Sequence, residues 1–258
     1  MQPRIDDILS GHKPNEQVTD TPLPPSLDLL MEDESLVEHC FTTLHLTVLQ
    51  LQSWDLEMLL ERYHMDIDMP DVNGRTALLW AAWRGDAECV RLLSMSRYGA
   101  NLNATDMEEW TPLAKACKAG HLGVCQFLLN VSASPSIPNL DGLQPIHHAS
   151  GNRSTGVAII QHLLQHGADV NARTKSRQTP LRIAAGHGNL DVVISLLAYG
   201  ADRDLVDANG DTPLILVSRL NKSASLSLRR LAQLETLEDF ERVAAIQRAL
   251  DPGNGRVE

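Results

Sequence analysis

The stretch DVNGRTALLWAAWRGD at residues 71–86 returns as DMEEWTPLAKACKAGH at 106–121 and as SRQTPLRIAAGHGN at 176–189. Taking the threonine of each copy as an anchor gives Thr42, Thr76, Thr111, Gln144, Thr179 and Thr212, separated by 34, 35, 33, 35 and 33 residues. A fixed period of this size marks a chain built from stacked supersecondary units, and it decides the architecture before any single element is assigned. Three units, those anchored at Thr76, Gln144 and Thr179, also end alike: Leu92-Leu93 precedes Gly99 to Asn103, Leu163-Leu164 precedes Gly167 to Asn171, and Leu196-Leu197 precedes Gly200 to Asp202.

These residues resemble the ankyrin-repeat family, whose unit opens on Thr-Pro-Leu-His, continues with an alanine pair and closes on Leu-Leu and Gly-Ala-Asp-x-Asn. The irregular units and acidic amino-terminal arm resemble those of short fungal ankyrin-repeat proteins in particular. The resemblance implies an all-α solenoid of about six helix-turn-helix units with short hairpin loops and a helical carboxy-terminal cap.

The chemistry of each position agrees. Thr-Pro starts a helix cleanly, because the hydroxyl accepts from a free backbone N–H and the proline ring presets φ where no donor is needed. Ala81-Ala82 and Ala184-Ala185 let helices approach closely, while Val193 to Leu197 supplies the apolar stripe of a second helix. Gly99, Gly167 and Gly200 stand where a left-handed helix terminus is expected, and Asn73-Gly74 and Asn209-Gly210 fit tight turns. One unit cannot bury its own apolar face, so stability must come from neighbours.

The stack is expected over residues 27–222, with units starting near 39, 73, 108, 141, 176 and 209. The first unit, Thr42 to Asp68, lacks the proline and reads as an amino-terminal cap, and residues 27–39 suit a short helix upon it. Gln144 replaces threonine in the fourth unit, and Asn152 to Gly156 departs from the pattern, predicting an irregular turn between its helices. Residues 223–250 carry Leu228, Leu231, Leu234, Leu237, Phe240, Val243, Ile246 and Leu250 at helical spacing and are expected to cap the open end. Residues 1–25 are expected to be a disordered arm and 251–258 a disordered tail.

With 22 basic against 33 acidic side chains, the net charge is −11, which argues against direct binding to nucleic acid or to an anionic membrane. Charges within residues 1–10 argue against an export signal, and no run approaches the ~20 apolar residues that cross a bilayer. An intracellular protein, cytoplasmic or nuclear, and a monomer is expected. Cys40, Cys89, Cys117 and Cys125 have no metal-site spacing and read as reduced core thiols. His45 and His147 take the family's structural histidine position, and His121 and His187 the Gly-His turn, so neither metal, cofactor nor catalysis is expected.

What the resemblance implies instead is binding of another protein on the concave face of first helices and hairpin tips. Register places Trp80, Trp83, Arg84, Trp110, Lys115, Lys118 and His148 there, an aromatic and basic set rich in the residue types that dominate interfaces. Packing of the tryptophans between units is the competing reading. A partner with an apolar anchor ringed by basic residues is expected on so acidic a scaffold. The function expected is a non-enzymatic scaffold or adaptor, or alternatively a transcription co-regulator that acts through a DNA-binding partner and controls a metabolic pathway.

Overall fold

The computed structural model describes residues 43–49, 56–62, 66–95, 98–222 and 237–251. The expected arm, the short helix at 27–39, Cys40 and the carboxy-terminal tail lie outside the described residues. Among those described, every regular element is a helix. In chain order they are α1 (Thr43–Val48), α2 (Leu56–Arg62), α3 (Ala77–Arg84), α4 (Ala87–Leu93), α5 (Pro112–Ala119), α6 (Leu122–Asn130), α7 (Pro145–Ser150), α8 (Gly156–Gln165), α9 (Pro180–Gly186), α10 (Leu190–Ala198), α11 (Pro213–Lys222) and α12 (Leu237–Leu250).

The first helices α1, α3, α5, α7, α9 and α11 stack in that order, and the second helices α2, α4, α6, α8, α10 and α12 stack beside them. The core is the seam between the two rows, where Leu78, Leu113, Ile146 and Leu181 meet Leu93, Leu128, Ile160, Leu163 and Leu196, nearly all wholly buried. Helix α12 packs on α11 and α10, in the place a second helix of the sixth unit would occupy. Its Ile246 and Leu250 are buried, so this helix covers the otherwise open end.

Each first helix is started as its sequence dictates. Thr76, Thr111, Thr179 and Thr212 accept through Oγ1 from the backbone N–H of Leu79, Ala114, Arg182 and Ile215, at 3.1 to 3.3 Å. Gln144 does not: its Oε1 is buried without a partner, and the helix start is instead tied by Nδ1 of His147, which accepts from the Gln144 N–H at 3.0 Å. The expected irregular turn follows. Gly85 and Gly120 end α3 and α5 in the left-handed region, whereas Gly151 ends α7 right-handed, and Asn152 Oδ1 accepts from the N–H groups of Ser154 and Thr155.

The hairpin tips repeat one device. Buried Asp71, Asp106, Asn139 and Asp207 each accept through Oδ1 from the N–H groups two and four residues on, at 2.8 to 3.1 Å, folding the tip around a side chain. Thr174 substitutes in the fifth unit, accepting from Gln178. Successive tips are then joined by single backbone bonds: Met107 donates to Asn73, Leu140 to Glu108, Lys175 to Asp141 and Ala208 to Ser176, at 2.9 to 3.1 Å. The tips therefore form one continuous edge.

Candidate protein-binding face

The candidate face lies on α3, α5 and α7 and on the tips that precede them. Trp80 and Trp83, one helical turn apart on α3, have ring centroids 5.1 Å apart and tilted by 42°. Trp80 is 1% exposed, and its Nε1 donates to Asp71 Oδ2 at 3.0 Å, so this ring packs and cannot itself meet a partner. Trp83 is half-buried beside it. The Arg75 guanidinium lies over both rings, 5.0 Å from the Trp80 centroid and 5.9 Å from that of Trp83.

One unit on, Trp110 is 7% exposed and gives its Nε1–H to Glu108 Oε2 at 3.1 Å. The ammonium groups of Lys115 and Lys118 stand 4.5 and 4.7 Å from its centroid, and the His148 ring from the next unit stacks on it at 4.3 Å. Burial, with the nearby charges of His147, Lys118 and Lys115, pushes the His148 pKa down to about 3. The ring is therefore neutral at physiological pH and acts as an aromatic plate.

The two aromatic groups are joined by a buried carboxylate. Asp106 Oδ2 lies 3.1 Å from Lys115 Nζ and 3.9 Å from Arg75 Nε, while its Oδ1 holds the tip. Burial lowers the Lys115 pKa and Asp106 opposes that shift. Thus Trp80, Trp83, Trp110, Lys115, Lys118 and His148 come together across three units. Arg84 does not join them, since its guanidinium donates to the Val48 carbonyl at 2.9 Å and ties the second unit to the first.

Sequence reasoning missed Arg75, Asp71 and Asp106, which order the face. An available signal was the aspartate at the same register in three units, Asp71, Asp106 and Asp207. The charged groups of this face are mixed in sign: Lys118 is exposed and Arg75 half-buried, while the exposed Glu108 holds the Trp110 indole N–H.

The histidines that invite a catalytic reading are tied to neighbouring units. His45 Nε2 donates to the Arg75 carbonyl at 2.8 Å, His121 Nε2 to that of Trp83 at 3.0 Å, and His147 Nε2 to that of Ala172 at 3.0 Å. A side chain at Gly85 would strike the His121 ring at 2.4 Å, so the Gly85-Asp86 turn is set by this packing as well as by its φ of +76°. Cys117 and Cys125 are buried with sulfurs 3.6 Å apart, and burial drives the Cys117 thiol pKa up. Among the described residues no helix is long and apolar enough to cross a membrane, and no group of three or more His, Cys, Asp or Glu is arranged to hold a metal ion.

Family models for ankyrin repeats match residues 25–106, 98–174 and 163–217, together the greater part of the chain. The chain belongs to the ankyrin-repeat family. Among similar proteins, the B-cell lymphoma 3 protein homolog of Mus musculus is 32% identical over 149 residues, 57% of this chain and 33% of that protein. The neurogenic locus notch homolog protein 1 of Cricetulus griseus is 36% identical over 57% of this chain and 6% of its own length. A putative palmitoyltransferase, ZDHHC13 of Danio rerio, is 28% identical over 65% of this chain and 26% of its own length. The chain thus spans a third or less of the length of each of these relatives.

Proposed function

We propose that this ankyrin stack is a non-enzymatic adaptor whose output is the binding of another protein on the first-helix face of units two to four. The observation that carries the reading is the cluster of Trp83, Trp110 and His148 rings, flanked by Lys118 and Arg75 and partly open to solvent. Large aromatic area beside cationic groups is the chemistry of interface hot spots, and here it suits a partner that brings a carboxylate next to an apolar or aromatic side chain. Affinity capture from the native cell, with wild type and a Trp83→Ala/Lys118→Glu variant, tests it. A partner lost from a variant whose circular dichroism is unchanged supports the site; unchanged capture contradicts it.

The net charge of −11 also makes the molecule as a whole complementary to a basic protein. That favours, as a second reading, a transcription co-regulator that acts through a DNA-binding partner. Nuclear enrichment and altered transcripts on deletion would support this reading, and a purely cytoplasmic protein would count against it.

A further inference from the structure

The edge formed by the hairpin tips has a composition unlike that of the helix face beside it. At the position just after the buried turn residue, units two, three and four carry Val72, Met107 and Leu140, which are 43%, 71% and 47% exposed. Their exposed charged neighbours are acidic: Glu108 and Glu109 at the third tip, Asp141 at the fourth. In the fifth unit the same edge reverses, with Lys175 in place of the apolar residue and Arg173 and Arg177 exposed around it.

The backbone reinforces this pattern. The left-handed residue of the tip is glycine at Gly74, Gly142 and Gly210, but Glu109 with φ 61° in the third unit and Arg177 with φ 60° in the fifth. A side chain in that region costs about 1 kcal/mol or more. Opposite charges therefore stand at strained, equivalent positions two units apart.

We propose that this edge binds an amphipathic, mainly basic α-helix of about 22 residues from a partner protein; this rests on the protein-binding reading above. The spacing selects the helix. Because successive first helices pack about 8–10 Å apart, the three apolar tips stand at roughly that step. Seven residues of α-helix rise about 10.5 Å and return to nearly the same face, whereas an extended strand covers the step in about three residues and so alternates sides. The partner helix presents apolar residues at i, i+7 and i+14, Lys or Arg beside the second and third, and Asp or Glu near i+21 opposite Arg177.

The probe is a displayed library of 25-residue helix-forming peptides selected on the full chain. The peptides recovered should converge on three apolar residues seven apart with basic flanks. Once synthesised, they should bind a Met107→Glu/Leu140→Glu variant at least tenfold more weakly, and Arg177→Glu should weaken those carrying the terminal acid. Recovery of no peptide, of peptides without the seven-residue period, or of peptides that bind the tip variant unchanged overturns the proposal. If binding survives the tip variant and is lost in Trp83→Ala/Lys118→Glu, the tip site falls while the adaptor reading stands. Tip-dependent peptides, with cellular capture insensitive to Trp83→Ala/Lys118→Glu, give the reverse. Circular dichroism of each variant separates loss of a contact from loss of the fold.

Discussion

From α3 to α7 the first-helix face carries Trp80, Trp83, Trp110 and His148, whereas from α9 to α11 it carries Ile183 and Leu216. Threonine-capped helix starts and backbone bonds between successive tips occur in both regions, and both stack without interruption. Their links between units differ. In the amino-terminal region Asp106 is shared by Lys115 and Arg75, while in the carboxy-terminal region Asp207 Oδ2 is met by Arg182 at 2.6 Å. Stacking thus proceeds without aromatic rings, and the partly open rings of the first region exceed what the fold requires.

The largest expected effect comes from the ring that does belong to the core. Trp80→Ala should destabilise the chain by about 3–5 kcal/mol in urea titration, since it opens a cavity and frees a buried carboxylate oxygen of Asp71. Ile183→Ala, at a half-buried position of the same register, should cost about 1 kcal/mol. Equal losses would break the distinction between the two regions.

The carboxylate links sharpen it. Arg182→Ala leaves Asp207, 2% exposed, with its two N–H donors but without its ion-pair partner, and should cost about 1–3 kcal/mol. Lys115→Ala leaves Arg75 near Asp106 and should cost less, measured on the same denaturation scale. Helix starts supply a third contrast: Thr111→Ala should cost about 1 kcal/mol, while Gln144→Ala should be near neutral, because His147 ties that helix start.

A smaller effect is expected with pH. The pKa values of His45, His147 and His148 are all lowered by burial, so the unfolded chain binds more protons than the folded one below about pH 6.5. Their contribution is complete above that pH and is lost progressively as pH falls, down to about 3 for His148. The thermal midpoint should therefore drop between pH 7 and pH 5, and His148→Phe, which keeps an aromatic plate on Trp110, should flatten that slope. A midpoint that rises on acidification would contradict the buried neutral histidines.

The fold was legible because its punctuation is local. Thr-Pro pairs at three of the six anchors, Thr111, Thr179 and Thr212, and turn glycines declare helix starts and stops, and the period places the other three anchors in the same register. The departures at Gln144 and Asn152 were legible as departures, though not the repair, which needs the His147 ring to turn back on the preceding N–H. Register also selected the residues of the candidate face without telling which are covered. Trp80, Lys115 and His148 all lie four positions after their anchors, yet Trp80 alone is fully buried, beneath Arg75 and beside Trp83. The bridge from Arg75 through Asp106 to Lys115 joins residues up to 40 positions apart, beyond the reach of any local pattern.

The most direct test of the central claim is isothermal titration of the captured partner against three proteins: wild type, Trp83→Ala/Lys118→Glu in the aromatic region, and Arg182→Lys/Ile183→Ala in the aliphatic one. Binding weakened at least tenfold by the first variant and little changed by the second is the predicted result. Equal affinity for both variants, or loss only with the second, would contradict a binding face on units two to four.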